Sequence, residues 1–173
     1  MTALTRLRTA LFDPMDRADW LLPTIARVVF LAVFFFYFLN SAGTKIDGGL
    51  FSPSSGAFAQ IFPKAAEAVL YDVTQLTGFQ RLVIFAGTLA EYVLPVLIVV
   101  GLFTRLAAAA MIGFVIVQTI VDVTGHGVSL GTWFNNAPEL IDQRSLWVFL
   151  MVVLVIKGAG PFSVDRFFAT KAG

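Results

Sequence analysis

The sequence predicts an all-α integral membrane protein: a four-helix bundle with short interfacial amphipathic helices, both termini on the cytoplasmic side. Three observations carry that expectation. Of the 173 residues 58% are hydrophobic and only 13% charged, and the mean hydropathy is +0.84, far from the balance of a soluble domain. Three apolar runs, Leu21 to Leu39, Leu82 to Val100 and Leu106 to Val121, approach the roughly 20 residues that cross a bilayer. A fourth run, Leu146 to Ile156, reaches the same length when its helix starts near Pro138 or Glu139 and ends at Lys157, at about 1.5 Å per residue.

In chain order, residues 1–20 form a cytoplasmic interfacial segment read as mature protein. Leu4, Leu7, Leu11 and Phe12 share a helical face beside Arg6 and Arg8, Asp13-Pro14 ends that helix, and Trp20 marks the interface. Residues 21–158 hold the four spans. A long outer loop, 40–80, separates the first two, with a breaker cluster at Ser52-Pro53-Ser54-Ser55-Gly56 and one amphipathic helix over Pro63 to Leu76, with Ala66, Val69, Leu70 and Val73 at helical spacing, that lies on the membrane surface or caps the bundle. Gly101 to Arg105 is a tight turn between the second and third spans, and Val123 to Asn136 is a Gly-rich loop. Residues 159–173 are a cytoplasmic tail. Arg6, Arg8, Arg17, Arg105, Lys157, Arg166 and Lys171 fall on the terminal side, against Lys45, Lys64, Arg81 and Arg144 opposite, which orients the termini inward.

Several chemistries are excluded at once. Cys 0 rules out disulfides, thiolate catalysis and Cys-ligated metals, and a single histidine falls short of a zinc or bis-His haem site, so no metal is expected. A formal net charge of +1 offers no basic stripe for nucleic acid. No P-loop or dinucleotide fingerprint is present. Ala86-Gly87, Ala107 to Ala110 and Gly113 read as helix-packing surfaces.

What remains is charge inside the apolar runs, where each ionisable group needs a partner, a proton or a wet cavity. Glu91 lies about nine residues, or roughly 14 Å, into the second span, and Arg27 roughly 9 Å into the first from the same end; the spacing predicts an Arg27/Glu91 ion pair. Pro95 withholds an N–H from the carbonyl of Glu91, predicting a polar pocket beside the acid. At the other end Asp122 and His126 stand four apart and pair if the helix continues through Gly125. Asp165 is expected to pair with Arg105.

The residues from Arg27 to Phe168 resemble the DoxX/DoxD family of small four-helix bacterial and archaeal membrane proteins. The likeness rests on Arg27 before an apolar span and Gly43-Thr44-Lys45, on Ala90-Glu91 leading into Gly101-Leu102-Phe103-Thr104-Arg105-Leu106-Ala107, on His126-Gly127 and Glu139, and on Lys157 to Asp165. It implies a multi-pass protein of the bacterial inner membrane and a subunit of a quinone-linked oxidoreductase taking electrons from a small substrate, a sulfur compound among the candidates, or from a partner. Arg27, Lys45, Glu91, Asp122 and His126 would then bind a quinone head group or anionic substrate, with a redox partner subunit or a second copy of the chain supplying what this one lacks. Two other readings stand beside it: a non-catalytic membrane anchor or assembly factor, and a small-solute or proton-linked permease.

Overall fold

The computed structural model describes residues 7, 9–13, 18–49, 51–135 and 137–171. Among these the chain is helical, with one isolated bridge between Ile46 and Pro53 in place of any strand. Of the interfacial segment, residues 9–13 are helical, with Leu11 and Phe12 exposed as an interface helix requires. Leu4, Arg6, Arg8, Pro14 and Arg17 lie outside the described residues.

Four long helices follow. α1 (Leu21–Thr44), α4 (Gly78–Val100) and α5 (Thr104–Thr124) are each long and apolar enough to cross a membrane, and no more than a third of each apolar stretch is buried within the protein. The remaining apolar surface needs a nonaqueous neighbour, and lipid is the one their length fits. α6 (Leu140–Lys157) is shorter, 18 residues, and carries Asp142 and Arg144 in its first two turns. Connecting α1 to α4 are α2 (Ser55–Ile61), α3 (Pro63–Ala68) and a 3₁₀ turn at Val73–Gln75; α7 (Val164–Lys171) closes the chain.

One core lies between the long helices, built from Phe30, Phe34 and Phe38 of α1, Ile98 of α4, Met111 of α5, and Met151 and Leu154 of α6. The three phenylalanines are four residues apart, and at 3.6 residues per turn that spacing drifts about 40° per step around a helix. A π turn at Leu31–Phe35 widens α1 at this point and takes up the drift, so all three rings stay buried. Phe34 meets Trp147 edge-on at 5.0 Å between centroids, and Phe38 meets Phe114 at 5.9 Å.

The loop after α1 is more structured than its composition suggests. Ser54, inside the breaker cluster, N-caps α2 by accepting from the Ala57 N–H at 3.0 Å. The single amphipathic helix expected over Pro63 to Leu76 is instead α3 plus the 3₁₀ turn, interrupted where Leu70 and Tyr71 take positive φ. Ala66 is buried and Val69 and Val73 pack with it in a second core around Phe58, Leu76 and Ile84, but Leu70 points outward. The segment thus seals one side of α4 near its start.

The turns at the opposite end are pinned. Gly101 caps α4 with φ 76°, and a Cβ there would stand 2.9 Å from Cζ of Arg27 and 2.6 Å from Cβ of Ser163, so only glycine fits both the conformation and the space. Asp165 does not pair with Arg105 as expected. Its two carboxylate oxygens accept the N–H groups of Phe103 and Thr104 at 2.7 and 2.9 Å, capping α5, while Arg105 donates to the Val155 carbonyl at 3.1 Å.

Candidate functional site

Arg27 and Glu91 do not meet. The Arg27 guanidinium turns toward the Gly101 end and donates to the carbonyls of Ile98 (3.0 Å), Ala159 (3.0 Å), Phe162 (2.6 Å) and Val99. These groups cluster because α4 ends at Val100 and the Gly158–Gly160 turn follows α6, leaving carbonyls without helical partners. A fork of five donors matches such a cluster better than a carboxylate about two turns away does.

Glu91 pairs instead with Lys45. Nζ of Lys45 lies 2.9 and 2.7 Å from the two carboxylate oxygens, and the residues are 4% and 3% exposed. Ser41, one helical turn before Lys45, donates to Glu91 Oε1 at 3.0 Å and accepts from Lys45 at 2.8 Å. Although Lys45 follows the last residue of α1, its side chain folds back along the helix to the level of Ser41, as long lysine stems do. Burial of both charges together is tolerable because every donor and acceptor of the triad finds a partner. α4 continues as helix through Pro95, which is itself buried.

Asp122 and His126 are also apart. α5 ends at Thr124, and the Gly125 and His126 N–H groups both turn back to the Val121 carbonyl, so the histidine leaves the face that Asp122 occupies. A Cβ at Gly125 would stand 3.0 Å from Pro63, which marks how closely α3 approaches the end of α5. Asp122 instead accepts from Nη2 of Arg144 at 2.7 Å, and Arg144 lies 4.4 Å over the Trp147 ring. His126 Nε2 contacts the Gln60 carbonyl at 2.8 Å and ties the α5–α6 loop to α2.

Three of the five expected residues nevertheless converge. Lys45, Glu91 and Asp122 line one cavity of about 90 Å³, together with Gln60, Gln118 and Phe114. That volume has room for water. Gln118 donates to the Tyr37 hydroxyl at 3.3 Å, while its own buried carbonyl oxygen has no partner. His126 touches this centre only through Gln60, and Arg27 belongs to the other end. Beyond Asp122, a groove of about 670 Å³ opens between α5 and α6, lined almost wholly by apolar side chains with Arg144, Trp133 and Ser145 among them. Its size falls in the range of about 300–1,000 Å³ typical of small-molecule sites.

Ser41, Gln118 and Arg144 were not singled out by sequence reasoning. Ser41 had a signal: it precedes Lys45 by four residues and so shares its helical face. Arg144 had one too, because Asp122 ends an apolar run and needs a cation, yet the distance of 22 residues between them carries no periodicity. Among the described residues no group of three or more His, Asp or Glu side chains converges as a metal site would. No family model, curated protein or solved structure matches the chain.

Proposed function

We propose that this chain is a DoxX-like membrane protein serving as a quinone-linked oxidoreductase subunit, with Lys45, Glu91 and Asp122 as its polar centre. The observation that carries the reading is a buried, fully hydrogen-bonded Lys45–Glu91 pair facing a cavity that also reaches Asp122. Ionisable groups at membrane depth are costly and mark proton or substrate paths. The neighbouring groove suits a prenylated quinone in size and in apolar lining, with the Arg144 side chain at its edge. A bound quinone supplies two-electron, two-proton redox chemistry. This chain's own part would be to hold the ring near Arg144, exclude bulk water, and pass protons between Asp122 and Glu91 through the cavity. Electrons would enter from a partner subunit, since the sequence carries neither a cysteine nor a dinucleotide-binding fingerprint. The reading takes α6 as a fourth span, giving a four-helix bundle in a bacterial inner membrane with both termini cytoplasmic, in line with the excess of Lys and Arg at the Gly101 end.

One observation favours a second reading, a non-catalytic anchor or assembly factor. Both oxygens of Glu91 and four carbonyls around Arg27 are satisfied within the chain, which is what purely structural charges look like.

Mass spectrometry of gently solubilised protein, wild type beside Glu91→Gln, separates the two. Quinone bound to the wild type and missing from a variant that melts normally supports the redox reading. Partner chains retained in both, with quinone in neither, make the centre structural and leave the anchor reading standing.

A further inference from the structure

At the Gly101 end, three cations from three different helices border one groove of about 460 Å³: Arg105 of α5, Lys157 of α6 and Arg166 of α7. Their existing partners leave capacity. Arg105 gives one N–H to the Val155 carbonyl. Lys157 pairs with Asp19, an acid whose side chain is 71% exposed, so the contact is weakly held. The Arg166 guanidinium has no partner among the described residues. The groove's own acid, Asp165, has both oxygens engaged in capping α5, so its charge is already set against the helix N-terminus. The buried hydroxyl of Thr104, which also borders the groove, makes no hydrogen bond.

The surroundings say which anion belongs there. Leu106 forms one wall and is exposed on the lipid-facing side of α5, and Phe103, Phe162, Phe167 and Phe168 are exposed nearby. Trp20, exposed and edge-on to Phe162 at 6.0 Å between centroids, marks the same end, and a tryptophan at the end of apolar helices is where a bilayer's headgroup layer lies. We propose that this groove binds an acidic phospholipid, its phosphate held between Arg105, Arg166 and Lys157 and one acyl chain running down past Leu106. A soluble phosphate has no use for the Leu106 wall, whereas a lipid uses charge and wall together.

The test is native mass spectrometry of the full chain in detergent, titrated with phosphatidylglycerol, phosphatidylcholine or inorganic phosphate. Wild type retains phosphatidylglycerol in preference to phosphatidylcholine. Arg166→Gln, whose guanidinium has no hydrogen-bond or charge partner among the described residues, binds it about fivefold more weakly, and Arg105→Gln with Arg166→Gln about twenty-fivefold. The matching Lys variants recover most of the affinity, which separates lost charge from lost fold. Equal retention of the two lipids, or an Arg166→Gln protein that binds like wild type, overturns the proposal. Inorganic phosphate that displaces the lipid at comparable concentration overturns its assignment to a lipid.

Discussion

Arg27 and Glu91 sit in neighbouring helices and solve the same problem, a charge inside apolar surroundings, in opposite ways. Arg27 is neutralised by dipoles: four backbone carbonyls from the end of α4 and the loop after α6. Glu91 is neutralised by a charge, Lys45, with Ser41 bridging the two. The difference teaches how to tell a clamp from a site. Backbone carbonyls cannot change protonation state or leave, so Arg27 ties three segments together and does little else. The Lys45–Glu91 pair is made of side chains rather than backbone, and it faces a cavity that also reaches Asp122.

The largest expected effect breaks the clamp. Arg27→Ala strands carbonyls of two segments and should cost at least about 4 kcal/mol, since charge-assisted hydrogen bonds contribute about 1.5–3 kcal/mol each. Thermal melting in detergent reads it, with no single second substitution restoring the loss. The pair should behave otherwise. Lys45→Met leaves Glu91 buried and alone, at a cost of about 3–5 kcal/mol, but adding Glu91→Leu should recover most of it, because replacing both partners of a buried pair by apolar groups is often near neutral. Costs that simply add in this double-mutant cycle would show that the two groups are not coupled.

Smaller effects sharpen the contrast at the periphery. His126→Ala removes one contact to the Gln60 carbonyl and should cost about 1 kcal/mol, seen as faster amide exchange in α2 and α3 with α1 unchanged. The smallest change concerns Asp72. The Thr74 hydroxyl and backbone N–H both donate to its carboxylate, which holds it below the usual range. A depressed carboxylate stabilises the fold above its unfolded-state pKa and loses that contribution as pH falls through the folded value. Asp72→Ala should therefore differ slightly from wild type at pH 7, and the two melting curves should merge near the acid limit.

The helices were legible in the sequence because lipid imposes a long-range rule, a length of apolar residues, that needs no knowledge of neighbours. α4 and α5 extend the expected runs by a turn or less at most ends, and the connecting turn falls at Gly101 as read. The α2–α3 segment was less so, since Leu70 obeys helical periodicity yet ends outside, where two left-handed residues break the helix. Among site residues, Glu91 and Asp122 stand out as acids in apolar runs. Their partners do not, because depth along the helix axis suggested Arg27 for Glu91, while the true partner reaches the acid by folding a lysine stem backward over one turn.

By itself the sequence determined that this chain is helical and that Glu91 must be compensated, and of the four spans it predicts, three are helices long and apolar enough to cross a membrane. Those conclusions follow from transfer free energies, which are properties of residues and runs. Only the tertiary structure decided who compensates whom: Lys45 for Glu91, Arg144 for Asp122, and four carbonyls for Arg27. Pairing depends on helix tilt, on the π turn in α1 and on where side chains fold back, and these emerge when the helices pack against one another.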